Sequence, residues 1–187
     1  MWQLKDQRAQ RLLARAHAHL ESPHSQLMEL ASRSWWRGFS TGGPWMRRAL
    51  QERQAHAPPP AREPSWTLLG VFKYGQCALA ALAIIAVAYA LGQWWLLVLT
   101  LPAFYLVEAQ WVFLFVLVAQ GHPTPFCQSA RLTRRAGGAW RVMWTVLPLA
   151  WTMLTGWRPR AQGALKSWCA GCLAVVIWYI ELHEVSP

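Results

Sequence analysis

Hydrophobic and polar residues follow two different patterns along the chain, and the change falls near residue 65. Before it, apolar residues return singly at helical spacing, as in Leu12, Leu13, Ala16 and Leu20. After it, they come in long runs with few interruptions. The run Trp66 to Leu91 is long enough for one membrane crossing, which takes ~20 residues at 1.5 Å rise for a ~30 Å core. Residues 93 to 120 make a second run, roughly 42 Å if wholly helical, so it must tilt, kink or protrude, and Pro102 is the expected kink. Two shorter runs follow, residues 139 to 157 with Pro148 near the middle, and residues 164 to 180. These patterns predict an all-α polytopic membrane protein: four transmembrane helices in two antiparallel hairpins (66–91, 93–120, 139–157, 164–180), which form one domain, residues 66–187.

Residues 1–65 form the other domain, a set of short amphipathic helices. Ser22-Pro23 provides an N-cap followed by proline at the first helical position, and the helix that follows is expected to reach Trp36. "STGGP" then breaks the chain before a third helix beginning at Pro44, and "APPPAREP", residues 57 to 64, is a stiff extended linker. These helices suit either an amphipathic collar with Trp35, Trp36 and Trp45 as interfacial anchors or a docking surface for a partner. The N-terminal stretch has no short apolar core followed by a cleavage site, so insertion is expected to be directed by the internal runs.

Composition agrees with the membrane class: 55% of residues are hydrophobic, 14% are charged, and 14 are tryptophan. The net charge of +10 raises nucleic acid as a partner, but the basic residues flank the apolar runs and no nucleic-acid-binding pattern accompanies them. Anionic phospholipid fits better. The cations also predict orientation, because they are retained on the cytoplasmic side: residues 1–65 and Arg131, Arg134, Arg135 and Arg141 outnumber Arg158, Arg160 and Lys166, so both termini should be cytoplasmic. Trp66, Trp94, Trp95, Trp140, Trp157, Trp168 and Trp178 then fall near the membrane surfaces. Arg far exceeds Lys, which points to a GC-rich bacterial genome and so to a bacterial inner membrane.

Candidate chemistry is sparse. Lys73 and Glu108 sit inside apolar runs at depths that differ by less than one helical turn, so each could answer the other, with Gln76 and Gln110 sharing hydrogen bonds. The alternatives are a Lys73 that snorkels to the cytoplasmic surface while Glu108 is protonated or pairs with another subunit, and a Glu108 that carries protons or ions. Cys169 and Cys172 form a C-x-x-C whose spacing resembles that of membrane thiol oxidases acting on quinone, but no second dithiol is present on the outer side to relay electrons, and the small residues there fit close helix packing better. His122 with Arg131, Arg134 and Arg135 could hold a lipid phosphate, though positive-inside charge alone explains the arginines. His17 and His19, two residues apart, lie on different helix faces and are expected to be solvated. No metal site, cofactor motif or catalytic constellation is legible. The leading expectation is a non-catalytic integral membrane subunit or scaffold of a multi-protein complex, whose basic arm contacts other membrane subunits or anionic lipid. The alternatives are a membrane enzyme or carrier acting on a lipid or quinone through Glu108, and a thiol–quinone oxidoreductase using Cys169 and Cys172.

Overall fold

The computed structural model of the chain describes residues 3–34, 39–53, 64–155 and 161–184. It is 85% helical, and no strand occurs among the described residues. Three short helices come first: α1 (Gln3–Leu20), α2 (Leu27–Ser34) and α3 (Phe39–Gln51). The apolar region follows as α4 (Trp66–Leu91), a 3-10 helix (Trp94–Leu99), α5 (Thr100–Gln110), α6 (Leu114–Ala119), α7 (Pro125–Arg135), α8 (Ala139–Thr155) and α9 (Ala161–Glu184). Three segments are long and apolar enough to cross a membrane: Trp66–Leu91, Trp94–Ala119 and Gly163–Glu184. The third predicted run is helical as α8, but its 17 described residues do not belong to this set.

The boundaries of α4 have plain local causes. Ser65 caps its start by accepting from the Leu68 N–H at 3.5 Å. Gly92 ends it at φ +64°, a left-handed conformation that glycine adopts without a Cβ clash. The Gln93 N–H then reaches back to the Ala88 carbonyl at 3.0 Å, closing a Schellman turn.

The second run departs from expectation. Pro102 falls in the first turn of α5, directly after the 3-10 helix, so the helix changes type beside the proline. A break follows nine residues later, at 111–113, between α5 and α6. α3 departs too: it runs through "STGGP" with Pro44 inside it. Tertiary packing overrides the local signal, since Ala49 and Leu50 are fully buried and the Trp45 indole donates to the Leu27 carbonyl at 2.9 Å. α2 begins at Leu27, four residues beyond the expected cap at Ser22-Pro23. Trp35, Trp36, Trp157 and most of the proline linker lie outside the described residues.

Successive helices of the apolar region pack side by side, α4 on α5, α5 on α8 and α8 on α9, while α1 lies against both α8 and α9 and α3 covers the start of α4. Burial is uneven along α4. Its first half buries Trp66, Gly70, Lys73 and Cys77, one helical face, whereas beyond Cys77 only Ala88 is buried. Leu79, Leu82, Tyr89, Trp94, Trp95 and Val98 are exposed, so the outer half of the α4–α5 hairpin projects from a well-packed body. The tryptophans divide accordingly: Trp94, Trp95, Trp140 and Trp168 are exposed, but Trp45, Trp66 and Trp178 belong to the core and are not surface anchors.

Candidate functional site

The spacing that gives α4 one buried face carries Lys73 inward among apolar neighbours, and Glu108 comes to meet it from the last turn of α5. The Lys73 Nζ lies 3.6 Å from Glu108 Oε1, with side chains only 5% and 14% exposed. Aromatic rings complete the lysine's surroundings, with Nζ 5.1 Å from the Tyr74 ring centre and 5.6 Å from that of Phe115. Those rings offer a cation some attraction after it has lost its water. Cys172 of α9 lies within electrostatic reach of Lys73. Gln76 is exposed and Gln110 is half-buried, and no hydrogen bond among the described residues ties either amide to the pair.

The helix ends at the ion pair. In an uninterrupted helix the Ala109 and Gln110 carbonyls would accept from residues 113 and 114, but the Leu114 N–H turns to Trp111 instead, at 3.1 Å. α7 supplies substitutes: Thr133 Oγ1 donates to the Ala109 carbonyl and Ser129 Oγ to that of Gln110, both at 2.8 Å. Ser129 and Thr133 are themselves fully buried. The same helix turns Arg131, Arg134 and Arg135 outward, all exposed. His122 is half-buried, and both it and Arg135 lie within electrostatic reach of His183 at the end of α9. These basic groups are thus brought to one end of the molecule.

Cys169 is buried and Cys172 half-buried, each as a free thiol. Between them, a Cβ on Gly171 would stand 2.3 Å from the Met153 side chain, so α8 and α9 approach closely where the small residues cluster. No group of three His, Cys, Asp or Glu side chains suited to a metal ion occurs among the described residues.

The charged seam joining α1 to the rest was not legible in the sequence. Arg15 pairs with Glu181, Lys166 Nζ lies 2.5 Å from Glu21, and His19 Nε2 lies 3.2 Å from Glu52, which also accepts from Ser25 at 3.4 Å. His19 is therefore partnered rather than solvated. The Lys166 ammonium holds the exposed Glu21 carboxyl below its ordinary range by hydrogen bond and charge. Burial lowers the Arg53 guanidinium, and the nearby Arg15 charge adds to that. Neither the sequence nor the fold of this chain matches a family, a curated protein or a solved structure.

Proposed function

We propose that this chain is a non-catalytic integral membrane subunit or scaffold, anchored by its apolar helices and presenting a basic face to other membrane subunits and to anionic phospholipid. The observation that carries this reading is the projecting half of the α4–α5 hairpin, where Leu79, Leu82, Tyr89, Trp94, Trp95 and Val98 are exposed together. Such a surface is stable in hydrocarbon, with indoles at its tip to meet the far interface, and it is costly in water. The outward arginines of α7 suit anionic headgroups at the near interface. Pairing with Lys73 gives Glu108 a structural role, which favours a scaffold over a carrier working through a free acid. Close packing around Gly171 favours the structural use of Cys169 and Cys172 over thiol chemistry.

The charge count favours four crossings in a bacterial inner membrane, with both termini cytoplasmic. One contact favours a second arrangement. Glu21 would lie on the cytoplasmic side of the four-crossing path and Lys166 on the outer side, yet the two are 2.5 Å apart. In the second arrangement only the α4–α5 hairpin is inserted, and α8 and α9 stay with α1 near the cytoplasmic surface. The subunit reading is tested by purification from native membranes in mild detergent. Other polypeptides should co-elute in fixed proportion, and a solitary, monodisperse protein would overturn it.

A further inference from the structure

Where the C-terminal ends of α1, α3 and α9 converge, a cleft of about 320 Å³ opens. Its charged walls are Arg15 and His19 of α1, Glu52 and Arg53 just past α3, and Glu181 and Glu184 of α9; Ile177 and Ile180 give it an apolar side. The charges are partly committed to one another. Arg15 pairs with Glu181, while Glu52 takes His19, Ser25 and, at 3.6 Å, Arg48. The Arg53 side chain makes no ion pair or hydrogen bond among the described residues, and neither does the carboxylate of Glu184, exposed at the rim. One cation and one carboxylate left without a partner in the same cleft suit a ligand of both signs.

The balance of charge narrows the class. Arg15 and Arg53 face three carboxylates, with His19 as a further cation when protonated, so the cleft presents no net positive field to a bare anion. A zwitterion has no such difficulty. Guanidinium forks suit phosphate oxygens, and carboxylates suit a primary ammonium, which can donate hydrogen bonds where a quaternary ammonium cannot.

We propose that this cleft binds the phosphoethanolamine group, with its phosphate on Arg53 and Arg15, its ammonium on Glu184, and its carbon chain along Ile177 and Ile180. The group occurs both in the free soluble compound and as a phospholipid headgroup. The lipid source rests on the membrane reading above; the charge chemistry does not.

The test uses the full chain in detergent. Native mass spectrometry with phosphatidylethanolamine, phosphatidylcholine and phosphatidylglycerol reads the lipid source, and titration calorimetry with free phosphoethanolamine, inorganic phosphate and ethanolamine reads the headgroup alone. Phosphatidylethanolamine should be retained in preference to the other two lipids, and free phosphoethanolamine should bind more tightly than either of its halves. Arg53→Gln should weaken both by about tenfold, the usual worth of a charge-assisted hydrogen bond. Glu184→Gln, at an exposed rim position whose replacement spares the packing, should act in the same direction, while Arg11→Gln on the outer face of α1 should change nothing. Binding of the free compound without lipid retention assigns the site to a soluble ligand. Equal retention of phosphatidylglycerol, equal binding of phosphate alone, or an unaffected Glu184→Gln overturns the proposal.

Discussion

The Lys73–Glu108 pair shows how a single residue's worth depends on its neighbour. Removing one member strands a charge among apolar and aromatic side chains, which costs about 3–5 kcal/mol, while replacing both with apolar residues of similar size is often neutral or stabilising. Lys73→Met should therefore sharply lower the unfolding temperature in a fixed detergent, and Lys73→Met combined with Glu108→Leu should recover most of the loss. A single variant as stable as the parent would mean that the pair is not buried in the native protein. A steric counterpart lies at Gly43, where a Cβ would stand 1.9 Å from the buried Trp66 indole. Gly43→Ala should cost about 1–3 kcal/mol by overpacking, because a core ring has nowhere to move. Gly42→Ala, with nothing within 4 Å of its Cβ, is the control and should be neutral or mildly stabilising. Equal effects of the two alanines in a denaturant titration would count against the packing of α3 over α4.

At the scale of elements, the break at 111–113 is held by another helix rather than by its own sequence. Thr133→Val and Ser129→Ala keep size roughly constant while removing the hydroxyls that α7 gives to the Ala109 and Gln110 carbonyls. Each should cost about 1–3 kcal/mol, the usual penalty of a buried polar group left unpaired. Hydrogen exchange at residues 111–114 should rise before exchange elsewhere in α5 or α6. A uniform rise along the chain would show that the hydroxyls do not serve the break. This explains what the sequence could and could not reveal. α4 was legible end to end, because its apolar run is a local signal; the Ser65 cap was not read from the sequence. The nearness of Lys73 and Glu108 followed from helical rise alone, since both depths are counted from the same hairpin turn. The break was not legible: "EAQWVFL" contains neither glycine nor proline, and its stabilising partners lie about twenty residues further on. Pro44 misled for the complementary reason. A proline reports the conformation forbidden to the chain next to it, and strong tertiary packing makes that prohibition cheap.

At the scale of the whole molecule, the open quantity is how much of the chain enters the bilayer, and the α1–α9 seam bears on it directly. Gln7, Gln10, Arg11 and Arg15 are exposed on α1, whose other face packs on α8 and α9. Were α9 sheathed in hydrocarbon over its whole length, Arg11 and Arg15 would be drawn in beside it, at about 2.5–3.5 kcal/mol each on insertion scales. Keeping α8 and α9 near the surface avoids that penalty and leaves the exposed Trp140, Trp151 and Trp168 to the interfacial layer, where indoles are favourable. The hairpin alone still reaches across: Leu91 lies 18 residues beyond Lys73, about 27 Å of helix, close to the thickness of the hydrocarbon core. Glu21→Cys with Lys166→Cys should thus be bridged by a short bifunctional maleimide in native membranes, and Lys166→Cys should be labelled by an impermeant reagent from the same side as the N-terminal helices. Gln93→Cys should be labelled from the opposite side. The ionic part of the seam adds a pH signature. Because the Glu21 carboxyl is held below its ordinary range, its contribution is complete above that range and is lost as acid protonates it. A Glu21→Gln background should remove any acid-induced loosening of α1 measured by hydrogen exchange between neutral pH and the carboxylate range. Labelling of positions 93 and 166 from one common side, with no bridge between 21 and 166, would restore the four-crossing path and would place α1 away from the outer end of α9.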